Sequence, residues 1–198
     1  MNTTRSAPPI ADDVAVAVLA AGSGSRFGGG KLDAMLGGKP VGRWVTDAVE
    51  AAGARKRFLV CSPTPPEFAA GLQGWTLVRN DHADRGIGTS LHAAAEAAAG
   101  SARLVIALAD MPLVPASHLS ALAQRDGVVF TRYPNGKPGV PAAFPRSAFA
   151  RLLSLPPGKG AAAVAWDGDP AMLDCDPAFL SDVDRPDDLK RIAGRQRS

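Results

Sequence analysis

Two cysteines, Cys61 and Cys175, and three histidines, His82, His92 and His118, are all the chain carries of either type. Neither cysteine has C-x-x-C spacing, none pairs with a histidine, and the histidines stand apart from one another. This argues against a zinc site and a Ser-His-Asp type triad, and leaves a reduced pair of thiols in a cytoplasmic protein as the expectation. Long apolar runs are missing too, since no stretch approaches the roughly 18 residues of a membrane span. The nearest, Val14 to Ala21, ends in small residues as a signal peptide would. Asp12 and Asp13 stand where a basic segment belongs, so the run reads as a buried strand. Blocks of like charge are absent: 22 Lys+Arg against 19 Asp+Glu leave +3, and the basic residues are scattered. Nucleic acid and membrane are therefore not expected partners. The small cationic excess suits either a phosphorylated ligand or an ordinary solvated surface. No repeat of solenoid period is visible.

What is present is a chain of 198 residues, 46% hydrophobic and 21% charged, enough for one substantial core. Short apolar runs at Val14–Leu19, Phe58–Cys61, Trp75–Val78, Leu104–Leu108 and Val128–Thr131 alternate with helical stretches at Val41–Ala52, Ser90–Ala99 and Ser117–Gln124. That alternation predicts an α/β fold with three layers and a mostly parallel, Rossmann-like sheet, whose ligands bind outside the carboxyl ends of the strands. Residues 1–13 are expected to form a flexible tail, 14–192 a single domain and 193–198 a second tail. Within the domain, Pro and Gly interrupt the chain from about 133 to 165, predicting loops and short strands in a lid or acceptor lobe. A last helix is expected near Pro186–Ile192.

The sharpest feature comes directly after the first strand: Leu19-Ala20-Ala21-Gly22-Ser23-Gly24-Ser25-Arg26-Phe27-Gly28-Gly29-Gly30-Lys31. Glycines at a strand end let backbone N–H groups turn toward a polyphosphate, and Arg26 and Lys31 supply positive charge. Spacing rejects two look-alikes. A dinucleotide G-x-G-x-x-G needs glycine where Phe27 stands. A Walker loop ending at Gly30-Lys31 needs glycine at Ser25 and a hydroxyl at Leu32.

This loop resembles the L-A-A-G…R-x-G-x-x-K signature of the MobA-like nucleotidyltransferases, which include the molybdenum cofactor cytidylyltransferases and guanylyltransferases. The resemblance covers residues 14–192 and implies a nucleotide-diphospho-sugar transferase fold. It implies that Leu19 to Ser25, with Arg26 and Lys31, grip a nucleoside triphosphate. Asn80 and the element Gly86-Ile87-Gly88-Thr89-Ser90 are similar to the family's base and ribose contacts, making Asn80, Gly86, Gly88 and Ser90 candidates; from the residues alone, Thr89 or Ser90 could equally cap a helix.

Asp110 ends the strand Leu104–Leu108 at the ligand edge, in an Asp-Met-Pro element similar to the family's D-x-P. By that resemblance it holds Mg²⁺ or Mn²⁺, and with Arg26 and Lys31 it forms the catalytic set. Asp182-Val183-Asp184-Arg185-Pro186-Asp187-Asp188 resembles the closing D-x-D-x-P-x-D, which implies Asp184 first and Asp182 second as further metal carboxylates. Asp187 and Asp188 follow Pro186 as helix-start residues. Gly136 to Phe144 is similar to the family's G-x-x-G-x-P-x-x-F near the acceptor, so Gly139 and Pro141 are expected there, and Lys159, in the later segment that resembles the cytidylyltransferases' G-D-K-G-A, is expected to join them. At 157–161 the chain reads Pro-Gly-Lys-Gly-Ala, with Gly158 where cytidylyltransferases carry an acid.

The activity implied is Mg²⁺-dependent transfer of a nucleotide to a phosphorylated acceptor with release of pyrophosphate. CMP from CTP to a molybdopterin-type cofactor is preferred, because Ala21 gives L-A-A-G rather than the guanylyltransferases' L-A-G-G. GTP, another phosphorylated acceptor, or a non-catalytic nucleotide-binding accessory of a molybdoenzyme or its maturation factor are the alternatives.

Overall fold

Successive side chains of a strand face opposite sides of a sheet, and the first strand puts Val14, Val16 and Val18 into one apolar cluster and Ala15, Ala17 and Leu19 into another. All six are buried, so the strand must run through the middle of a sheet covered on both sides. In the computed structural model, which describes residues 8–195, it does. The elements are β1 (Val14–Leu19), β2 (Met35–Leu36), β3 (Lys39–Pro40), α1 (Val41–Ala51), β4 (Lys56–Cys61), β5 (Thr76–Arg79), α2 (Ile87–Ala97), β6 (Arg103–Leu108), α3 (Ala116–Gln124), β7 (Val129–Arg132), β8 (Pro138–Pro145), α4 (Phe149–Leu153), β9 (Ala171–Asp174) and α5 (Pro186–Arg195).

Seven strands form one sheet in the order β5-β4-β1-β6-β8-β7-β9, and β2 and β3 pair as a separate short hairpin. Every neighbouring pair in the large sheet is parallel except the two that involve β8. The protein is thus a three-layer α/β fold with a mostly parallel sheet. One face packs Val41, Val45 and Val49 of α1, Leu119 and Leu122 of α3 and Ile192 of α5. The other packs α2 and α4 through Leu91, Ala94, Ala95 and Leu152. The alanines of α2 meet Ala15 and Ala17 of β1 in the same cluster; with only methyl groups on both sides the helix can lie close to the sheet.

The expected lid needs correction. Residues 138–145 are a full strand inserted between β6 and β7, with Ala142, Ala143 and Phe144 wholly buried. Two prolines disguise it: Pro138 begins the strand, and Pro141 coincides with a register shift between Phe130 and Thr131 of the partner, where a missing N–H costs the ladder least. The tails differ as well. Residues 1–7 and 196–198 lie outside the described residues. Of the described part of the expected N-terminal tail, Ile10 is 3% exposed and its N–H donates to the Ala52 carbonyl at 2.8 Å, because an isoleucine next to the α1 terminus has apolar surface to cover. At the other end α5 continues past residue 192 to Arg195. Among the described residues no helix is long and apolar enough to cross a membrane.

One buried polar link ties α3 to the sheet. Thr131 donates its hydroxyl hydrogen to the Pro141 carbonyl at 2.6 Å, so His118, whose Nε2 lies 2.8 Å from Thr131 Oγ1, must present Nε2–H to that hydroxyl oxygen. Burial pushes the His118 imidazole below the usual histidine value. The unfolded chain then takes up the proton first, so this contribution to stability is complete above pH ~6.5 and is lost as pH falls toward the folded value. His118→Gln keeps an N–H for Thr131 and does not titrate. Between about pH 7 and 5.5 its urea midpoint is expected to fall less than that of the wild type, and parallel decline of the two would contradict the assignment.

Candidate active site

The carboxyl ends of β1, β4, β5 and β6 share one edge of the sheet, which follows from their parallel pairing. A cleft of about 850 Å³ opens there. Its walls include Leu19 to Ser23, Lys31, Gly86, Ser90 and Asp110, so these expected positions reach no farther than one ligand-sized cavity can span. The loop after β1 folds back on itself through Phe27 N–H to Gly24 carbonyl at 2.9 Å. Gly24, at φ +57°, lies in the left-handed region that side chains resist, and an added Cβ would sit 3.4 Å from the stem of Lys31. This turn returns Lys31 to the strand end where the loop began.

Lys31 Nζ meets Asp110 Oδ2 at 2.5 Å and lies 3.7 Å from Asp184 Oδ1; the lysine side chain is only 11% exposed. Arg26, on the outside of the loop, reaches Asp184 Oδ2 with Nη1 at 3.2 Å. Two loop cations and two carboxylates that are far apart in sequence are therefore brought together. The segment bearing Asp184 is held by its backbone: Val183 N–H donates to the Asp110 carbonyl at 2.9 Å. Asp188 accepts from the N–H groups of Asp184 and Arg185 at 3.0 and 2.8 Å, the capping role expected for an acid in a first helical turn.

Val183 between them is fully buried, which turns Asp182 and Asp184 to one side of the extended segment. Partial burial, then the neighbouring Asp184 and Asp110, push the Asp182 carboxyl above its ordinary value. Among the described residues no three His, Cys, Asp or Glu side chains converge closely enough to hold a metal by themselves, so Asp182 does not complete a cage with the other two. Asp110 and Asp184 nevertheless fit a divalent ion. Asp110 Oδ1 is buried without a hydrogen-bond partner, a costly state for a carboxylate oxygen, and the hard oxygen donors suit Mg²⁺ or Mn²⁺ once phosphate oxygens and water add their share.

Other expected residues lie elsewhere. Asn80 and Gly88 line a neighbouring hollow of about 340 Å³ rather than the cleft. Asn80 is buried, donating to Thr89 Oγ1 and Ser90 Oγ at 2.9 and 3.0 Å and accepting from His82 N–H, so it fastens the end of β5 to α2. Gly88 N–H donates to the Pro157 carbonyl at 2.7 Å, and Pro156 and Pro157 occupy the space a Cβ would need there. The Pro-Gly-Lys-Gly segment is thus laid over the start of α2, with Lys159 exposed. Gly139 and Pro141 belong to β8. Antiparallel pairing brings the start of β8 to the edge that carries Asp110, and Gly139 makes room for the Tyr133 ring.

Several site residues carry no recognisable signal in the sequence. Ser62 and Pro63, just past β4, and Asp81 and Asp84, past β5, line the cleft; their position after parallel strands is the clue that could have found them. Asp33 accepts from the N–H groups of Glu67 and Phe68 at 3.1 and 2.8 Å, joining the glycine loop to that wall. Tyr133 donates to the Val140 carbonyl at 2.8 Å, and burial, with Asp182, Asp110 and Cys175 nearby, pushes its hydroxyl up to about 12.

The fold is shared with solved structures of low sequence identity. Rv0371c from Mycobacterium tuberculosis superposes with a TM-score of 0.73 at 22% identity, over 93% of this chain and 99% of that one; the same protein has also been crystallised with manganese. A nucleotidyl transferase from Methanothermobacter thermautotrophicus gives 0.72 at 23% identity, over 92% and 96%. Molybdopterin-guanine dinucleotide biosynthesis protein A from Archaeoglobus fulgidus gives 0.65 at 22%, over 92% and 98%. Among curated proteins none matches. The sequence profile of the MobA-like NTP transferase domain matches residues 16–169, which takes in the glycine loop, Lys31 and Asp110, and the chain belongs to that family of nucleotidyltransferases.

Proposed function

We propose that the protein transfers a nucleotide, CMP from CTP, to the phosphate of a molybdopterin-type acceptor and releases pyrophosphate. The observation that carries this reading is the meeting of Lys31, Asp110 and Asp184 at the mouth of the cleft. A triphosphate laid along the loop would find Lys31, Arg26 and the backbone of Gly22 to Gly30 on its β- and γ-phosphates, where charge develops as pyrophosphate leaves. The acceptor phosphate is already ionised at neutral pH, so the chain supplies no general base; it holds the two phosphates in line and screens their charge. A magnesium or manganese ion on Asp110 and Asp184 would neutralise charge at the α-phosphate, and manganese on the structurally similar Rv0371c supports that choice. Gly139 and Pro141, at the β8 end of the same edge, and Lys159, on the segment over α2, are the acceptor-side residues in this reading.

Ala21 lines the cleft and is 7% exposed, leaving a methyl group where the resembling guanylyltransferases have glycine; this supports the smaller pyrimidine base. Pyrophosphate release with molybdopterin is expected to be at least about tenfold more efficient with CTP than with GTP, a margin of ~1.4 kcal/mol. A GTP preference would overturn the choice of base. Tight binding of both nucleotides with no pyrophosphate from any phosphorylated acceptor would favour the accessory role instead.

A further inference from the structure

Asp110, one of the two carboxylates proposed to hold a divalent cation, is paired with the protein's own ammonium group. Lys31 Nζ lies against Asp110 Oδ2 and within 3.7 Å of Asp184 Oδ1, with the side chain 11% exposed. The stem that delivers it is backed by Gly24. Arg26 holds the other oxygen of Asp184 from outside, with its side chain 73% exposed. Asp110 Oδ1 remains buried and unpartnered, so the lysine neutralises the aspartate without satisfying it. Lys31 hydrogen-bonds only one of the two Asp110 oxygens; a divalent ion with its water shell could serve both.

We propose that Lys31 acts as a built-in competitor of the metal: free metal is largely excluded from Asp110 and Asp184 until a triphosphate draws Lys31 away. The inference rests on the proposed triphosphate reading of the glycine loop and deepens it into an order of assembly. A polyphosphate offers Lys31 a stronger anionic partner than one carboxylate does, and the carboxylates it leaves become ligands at the moment phosphate oxygens arrive to complete the coordination shell. Metal and nucleotide then bind with positive coupling, and linkage requires that each raise the affinity of the other by the same factor.

The test is Mn²⁺ binding to the nucleotide-free protein, followed by the loss of the free-ion electron paramagnetic resonance signal. Lys31→Met is expected to bind Mn²⁺ at least about tenfold more tightly than wild type, the lower range of a direct coupling. Arg26→Met, which removes an equal charge from the exposed side of Asp184, is expected to change the affinity less than about threefold, as a screened surface charge would. Lys31→Gln replaces the methionine variant should that one not fold. Equal Mn²⁺ affinity in wild type and the neutral Lys31 variants overturns the inference, as does an Arg26→Met gain as large as that of Lys31→Met, which would reduce the effect to overall charge. Mn²⁺·CTP titrated into wild type is a separate readout: if it does not bind, the triphosphate reading itself fails, whatever the free-metal result.

Discussion

Lys31→Ala and Asp110→Asn are each expected to lower the turnover of pyrophosphate release by about a hundredfold or more, the scale of losing one preorganised electrostatic group at a transition state. The geometry gives the reason. Both groups are largely buried and pressed against one another, so each acts in a setting where charge is weakly screened. Alanine at 31 removes the cation that would follow the departing pyrophosphate. Asparagine at 110 keeps the shape and removes the charge, and its amide is a poor ligand for a hard divalent ion. Steady-state turnover within a few-fold of wild type, in protein whose circular dichroism and melting are unchanged, would contradict the assignment of either residue.

Phe144→Ala is expected to cost about 3–5 kcal/mol of stability, the range for emptying a buried aromatic site. Phe144 has no exposed surface. Its ring meets Phe130 edge-on with centroids 5.6 Å apart and Trp166 at 5.2 Å, so alanine removes the centre of a three-ring cluster as well as its own apolar area. The residue lies on β8 opposite Leu104 of β6, the strand that leads to Asp110. Urea unfolding checks the value, and a loss below about 1 kcal/mol would mean that the cluster collapses onto the vacated space.

The strand that carries Phe144 is also the hardest to read in the sequence. Strand β1 is legible to the residue because every position from Val14 to Leu19 is apolar. The approach of Lys31 to Asp110, 79 positions apart, can be anticipated because parallel strands deliver their trailing loops to one edge. By contrast, Pro138, Gly139 and Pro141 erase the alternation that would announce β8, and the sheet accepts the prolines because one starts the strand and the other falls at the register shift opposite Phe130 and Thr131. Asn80 resembles a ligand contact by spacing, yet its amide and carbonyl are engaged by Thr89, Ser90 and His82. Asp188 is legible as a helix-start acid, because its N–H donors are close in sequence. Asp33 is not, because the N–H groups it receives lie more than thirty positions away and become neighbours only when the chain has folded.

The bond from Val183 N–H to the Asp110 carbonyl makes the end of β6 an anchor for the segment that precedes α5. Asp184 sits one residue beyond that anchor, so a change that loosened the segment would part Asp184 from Lys31 and Arg26 and leave the seven-stranded sheet, to which the segment contributes no strand, in place.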